Sequence, residues 1–256
     1  MDAGPILDFE QHLKRQLSAP LPGPMVQRQL APELAFGRHR GPVPADARQA
    51  AVLMLVHPVA AESGAASTKS GALNGDSSQQ PPGSASETSA ADWIIPAIVR
   101  PAHMKYHPGQ IAIPGGIVEP GESLLGAAVR EFEEELGVLP DDFQIHGQLS
   151  PVFVFATGAQ VTPFVAFAEH PPHWKPNPEE VESVVEIRLA DLLRPTSRGA
   201  HTIRRGKFTM RAPHFQIGDH LIWGATAMIL AEFAAICSAA RLHLDPRNPQ
   251  PTQDAT

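Results

Sequence analysis

Residues 61–91 read AESGAASTKSGALNGDSSQQPPGSASETSAA. Alanine, serine and glycine dominate, so this stretch cannot bury enough surface to offset the cost of ordering its backbone. It is expected to be a disordered surface insertion, and its flanks restrict what the rest of the chain can build. Ala50–Val56 (AAVLMLV) before it and Trp93–Val99 (WIIPAIV) after it are short apolar runs of strand character. Closure entropy rises only slowly with loop length, so two such strands still pair across it. The expectation is an interrupted hairpin inside one domain over residues 31–243, not a linker between two domains.

Further elements follow from periodicity and punctuation. A helix is expected within residues 1–30, set apart from the rest by the proline-rich Pro20–Pro24, and residues 244–256 read as a disordered polar tail. Gln110–Ile113, Gln144–Leu149, Val161–Ala168 and Val184–Arg188 read as strands, and Ser123–Leu136 and Ala225–Ala240 as helices. Strands flanked by helices at both ends predict an α/β fold, a mixed β-sheet covered on two faces as an α/β/α sandwich.

Composition removes several classes of function. The single cysteine, Cys237, excludes an internal disulfide framework and suggests a reducing compartment, with a cytoplasmic location expected. The opening MDAGPILDFEQHLKRQL has acidic residues and spaced leucines where a secretory signal needs a basic start and an apolar run. Ala225–Cys237 is apolar but is interrupted by Glu232, and it falls short of the roughly 20 residues a membrane helix needs. A net charge of −7 argues against a nucleic-acid partner. A small anionic substrate would therefore be drawn in by local groups and by metal ions. No GxxxxGK[ST] phosphate loop is present.

The stretch richest in chemistry is Gly115–Val138, GGIVEPGESLLGAAVREFEEELGV. Ser123 is a suitable N-cap, and Gly137 stands where a helix end needs a left-handed residue. Between them Glu131, Glu134 and Glu135 fall within an arc of roughly 100°. Leu125, Ala128, Val129, Phe132 and Leu136 occupy another arc, expected to face the core. Three carboxylates on one face repel one another, and hard divalent cations such as magnesium or manganese would offset that repulsion. Taken alone, an EFEEE run is more often a solvated acidic face.

The neighbours change that reading. Gly116, Glu122, Arg130, Glu131, Phe132, Glu134, Glu135, Gly137 and Val138 fill every slot of a pattern that resembles the Nudix box, with Phe132 an aromatic where an aliphatic is usual. The resemblance implies a Nudix-type α/β/α sandwich and a metal-dependent diphosphatase. It implies that Glu131 and Glu135 ligate Mg2+ or Mn2+, with Glu134 a further ligand or a base acting through water. Arg130 would orient the site through an ion pair with a carboxylate of the box, such as Glu122. Replacing Glu135 by glutamine, as a surface change, is expected to abolish turnover with little effect on folding.

Upstream, Arg100–Gly116 (RPAHMKYHPGQIAIPGG) is similar to the segment that marks the coenzyme A pyrophosphatase branch of that family, through Arg100, His103, Met104, Gly109, Gln110, Pro114, Gly115 and Gly116. Ile111 and Ile113 replace a valine and a phenylalanine. Thr162–Val165 and Ile222–Ala227 also resemble that branch. The implied substrate-binding residues are Arg100, His103, Lys105, Gln110, Gly115 and Gly116, with His107 adding to a basic cluster suited to an extra phosphate. His103 and His107 lack a third ligand for zinc, and His201, His214 and His220 read as spectators. Trp223 and Phe215 are expected to pack rather than stack on a base. The implied substrate is coenzyme A or an acyl-CoA, handled by a monomer or homodimer. Alternatives are another nucleoside diphosphate derivative, such as ADP-ribose or a dinucleotide, or a non-catalytic nucleotide sensor.

Overall fold

A computed structural model describes residues 5–33, 42–59, 93–104, 107–206 and 208–244. The inserted stretch 61–91 and the tail beyond Leu244 lie outside the described residues. The chain begins with helices α1 (Pro5–Ser18) and α2 (Gly23–Gln27), followed by strands β1 (Arg48–Pro58), β2 (Trp93–Val99), β3 (Ile111–Ala112) and β4 (Gly115–Ile117). Helix α3 (Leu124–Leu136) leads to β5 (Gln144–Gln148), β6 (Val152–Val154), β7 (Ala159–Phe167), β8 (Ser183–Arg188) and the short α4 (Leu189–Leu193). Strands β9 (Arg198–Arg205), β10 (Phe208–Ile217) and β11 (His220–Trp223) precede the long α5 (Gly224–Leu244).

Strand β1 organises the main sheet, whose order is β3-β2-β1-β7-β5. It runs parallel to β7 from Arg48 against Ala159 to Val56 against Phe167. Its other edge is shared by two antiparallel partners, β4 at Ala50–Val52 and β2 at His57 and Pro58. The β1–β2 pairing is the interrupted hairpin expected from the sequence. Ala51, Leu53 and Leu55 face one core with Ala128, Phe132 and Leu136 of α3, while Met54 and Val56 face the other with Leu230, Phe233 and Ala234 of α5. Burial on both faces is why β1 reads as a continuous apolar run.

The lead-in is not set apart from this body. Phe9 of α1 stacks on Trp93 with ring centroids 4.9 Å apart, and Leu13 and Leu17 are buried beside it. Pro20–Pro24 runs into α2, where the main-chain N–H of Gly23 donates to Glu232 of α5. Glu232 is wholly buried and also accepts from Gln27 Nε2 and from both N–H and Oγ of Ser150. A buried carboxylate needs such a set of donors. The charge that interrupts the apolar helix is therefore the tie between α2, the Ser150 segment and α5.

One element lies beyond the sequence expectations, and one expectation is corrected. Residues 198–223 form a separate three-stranded antiparallel sheet, β9-β10-β11, that the sequence reading did not contain. On α3 the buried stripe is Ala127, Ala128, Phe132, Glu135 and Leu136, whereas Leu125 is exposed. The core-facing arc thus takes in Glu135 and leaves out Leu125.

Candidate active site

Helix α3 is bounded by its caps. Ser123 Oγ accepts from the N–H of Gly126 at 3.0 Å, and Gly137 adopts φ +67° while its N–H donates to the Glu133 carbonyl at 2.8 Å. A helix end leaves carbonyls without intrahelical donors. Here the loop before β8 supplies them, with Lys175 N–H on Leu136 O at 2.8 Å and Asn177 N–H on Glu135 O at 3.0 Å. That loop continues to Glu180.

Among the described residues Glu131, Glu135 and Glu180 form a cluster in which one oxygen of each lies within 4.8 Å of the others. Glu135 is only 2 % exposed, so the structure corrects its reading as a surface carboxylate. Its Oε2 accepts from Gly115 N–H at 3.0 Å, and Arg100 Nη1 stands 3.9 Å from its Oε1. Burial pushes its acid up to about 8, against the opposing pull of Gly115 and Arg100. Burial also raises Glu131 above the ordinary carboxylate range. The double glycine makes room for these side chains: a Cβ on Gly116 would lie 2.2 Å from Glu131 Oε1, and Gly115 holds φ +147° against Ala51 and Val52.

Arg130 joins the rest of the box. It donates to Glu122 Oε1 at 2.9 Å and Oε2 at 3.1 Å, to Glu131 Oε1 at 3.0 Å and to Glu134 Oε2 at 3.0 Å. The hydrogen bond with Glu122 holds the guanidinium above its ordinary value, and the same contact lowers Glu122. Glu134, expected as a further ligand or base, pairs with Arg130 one turn back, with its side chain 53 % exposed. It stands outside the carboxylate cluster. Glu180 takes the third place, and no spacing signal in the sequence tied it to the box; the acid-rich run Glu179–Glu182 was the sole local cue.

The upstream residues divide. Arg100 turns toward Glu135, at the end of β2. Its N–H donates to Gln110 O at 3.0 Å and its carbonyl accepts from Gly109 at 2.9 Å, which closes the turn. Gln110 Oε1 meets His107 Nδ1 at 2.9 Å, so its side chain shapes this turn, and His103 is exposed. Lys105 lies outside the described residues. Phe215 is fully buried in the core, as expected for a packing aromatic. His201 and His214 meet through their Nδ1 atoms at 3.0 Å on the second sheet.

The donor set fits a hard divalent cation. Three carboxylates converge, one of them almost wholly buried with Arg100 3.9 Å away, and Gly116 leaves room for the Glu131 side chain. Glu131, Glu135 and Glu180 could together hold such a cation.

The chain matches the NUDIX domain family over residues 97–210, a span that contains the whole cluster. It is 38% identical over 136 residues to the uncharacterized Nudix hydrolase NudL of Enterobacter sp. (strain 638), covering 53% of this chain and 70% of that protein. Against the protein of the same name from Yersinia enterocolitica it is 36% identical over 169 residues, covering 61% of this chain and 86% of the relative. Among solved structures, RenU, a Nudix hydrolase from M. smegmatis, aligns over 80% of this chain and 90% of its own at a TM-score of 0.42 and 16% identity. With the box filled at every position and the relatives spanned over most of their length, the chain belongs to the Nudix hydrolase family.

Proposed function

We propose that this protein hydrolyses the diphosphate bond of coenzyme A or an acyl-CoA, giving adenosine 3′,5′-bisphosphate and 4′-phosphopantetheine or its acyl form. The observation that carries the hydrolytic part is the convergence of Glu131, Glu135 and Glu180 beside Gly115, Gly116 and Arg100. The choice of coenzyme A is supported by the likeness of Arg100–Gly116 to the segment of that branch.

Bound magnesium or manganese supplies neutralisation of the phosphate oxygens and a more acidic water. Glu131, Glu135 and Glu180 would hold the cation. Arg130 orients the helix face by fixing Glu122, Glu131 and Glu134 in one network. Arg100, already beside the cluster, pairs with a phosphate oxygen of the substrate. Water attacks phosphorus in line; the P–O bond of the bridge breaks, its electron pair stays with the leaving phosphate, and the water proton passes to a carboxylate of the site.

The test is product identification by mass spectrometry from coenzyme A, acetyl-CoA, dephospho-CoA, ADP-ribose and diadenosine polyphosphates with magnesium or manganese. Adenosine 3′,5′-bisphosphate with preference for the 3′-phosphorylated substrates is the expected result. Equal turnover of dephospho-CoA, or faster turnover of ADP-ribose or a dinucleotide, overturns the coenzyme A reading. Nucleotide binding without turnover of any diphosphate would make the chain a sensor.

A further inference from the structure

The carboxylate cluster is assembled from two pieces of chain: Glu131 and Glu135 project from α3, and Glu180 from the loop that enters β8. Their oxygens converge only while the loop keeps a fixed place against the helix. We propose that Asn177 is the positioning residue that sets this place, coupling Glu180 to the end of α3. The inference rests on the reading of Glu131, Glu135 and Glu180 as cation ligands.

Asn177 stands in the middle of a relay of main-chain hydrogen bonds between two of those ligands. Its N–H donates to the carbonyl of Glu135 at 3.0 Å, and its own carbonyl accepts from Glu180 N–H at 3.1 Å and Val181 N–H at 2.8 Å. The backbones of Glu135 and Glu180 are thereby linked through one residue. The side chain then closes the turn on itself, with Oδ1 accepting from Glu179 N–H at 3.1 Å. Asparagine is suited to such a turn because its short acceptor reaches a main-chain N–H two residues on.

The surroundings leave this task to Asn177. Lys175 N–H on Leu136 O at 2.8 Å and Glu182 N–H on Val99 O at 2.9 Å pin the loop before and after the turn. Between those anchors Val181 is buried in the α3-side core beside Glu180, and the turn at Asn177 sets how the chain arrives at that pair. Alanine at 177 retains the main-chain bonds but loses the acceptor for Glu179, so the turn loosens and Glu180 spends less time aimed at the cluster. Serine keeps a weaker acceptor and restores part of the geometry.

The experiment is titration of the full chain with Mn2+ alone, read by electron paramagnetic resonance and calorimetry, in the wild type and in Asn177→Ala, Asn177→Ser, Glu131→Gln, Glu135→Gln, Glu180→Gln and Asn177→Ala/Glu180→Gln. Asn177→Ala is expected to weaken Mn2+ binding about fivefold, the scale of one hydrogen bond. Asn177→Ser is expected to lie between it and the wild type, and the double variant to bind no more weakly than Glu180→Gln. Wild-type affinity in Asn177→Ala, or additive losses in the double variant, would overturn the role of Asn177 while leaving Glu180 a ligand. If Glu180→Gln binds Mn2+ like the wild type while Glu131→Gln and Glu135→Gln do not, Glu180 is no ligand and the coupling falls with it. Should Asn177→Ala fail to fold, Asn177→Ser alone decides, since wild-type affinity there with a loss in Glu180→Gln also overturns the proposal.

Discussion

The proposed role of Glu135 as a cation ligand requires it to be ionised, yet it is almost wholly withdrawn from water. Its acid is raised from an ordinary 4.5 to about 8 by that burial, so the folded metal-free protein holds a proton that the unfolded chain releases. The sign follows from linkage: this contribution to stability is complete below about 4.5 and is lost as pH rises through about 8. In chelator, Tm measured by calorimetry should fall between pH 5 and pH 8.5, by on the order of 5 °C. Glu135→Gln, neutral at every pH, should flatten that slope and raise Tm at the alkaline end, while lowering turnover at least about 100-fold by loss of a ligand. A variant with the wild-type slope would mean that another group titrates. The box glutamates were legible because their spacing on one helix is a local property. Glu180 was not, because only the tertiary placement of its loop brings it to them, and neither was the burial of Glu135, which the packing of α3 on β1 and β4 decides.

At the scale of elements, α3 is determined at both ends by residues whose roles are readable in sequence and whose cost of loss differs. Ser123→Ala removes one acceptor at the N-terminus and should destabilise by about 1 kcal/mol in urea unfolding. Gly137→Ala should cost more, about 1–3 kcal/mol, because φ is +67° and the added Cβ would stand 2.8 Å from that of Lys175. The same change presses on the loop that carries Glu180, so Mn2+ affinity should drop with stability in Gly137→Ala and stay near the wild type in Ser123→Ala. Strands β1, β2 and β7 were legible because each is an apolar run buried by its neighbours. The β9-β10-β11 sheet was not: its segments carry arginine, histidine and proline among the apolar residues, and their pairing is set by contacts with one another and with α5. The helix read at Ala225–Ala240 located α5 but gave no sign of the strand before it.

Across the whole molecule, the two sides of β1 are held by α3 and α5, and α1 and α2 complete the α5 side through Phe9, Leu13 and Glu232. Glu232→Ala would leave four donors without their acceptor and should cost about 3 kcal/mol or more, read as a lowered midpoint in urea. Because His57 and Pro58 already pair with Ile94 and Trp93, replacing residues 61–91 by a short turn should preserve fold and steady-state kinetics. A large loss of kcat/KM would show that the stretch reaches the site. The same pairing divides the protein unevenly. Among the described residues, what precedes the stretch is α1, α2 and the middle strand of the sheet, while Arg100, Arg130, Glu131, Glu135 and Glu180 all come after it. A chain severed there would yield one fragment holding these side chains and a second holding the strand on which they are mounted. Enzymatic complementation from two separately made halves would then report strand insertion in trans.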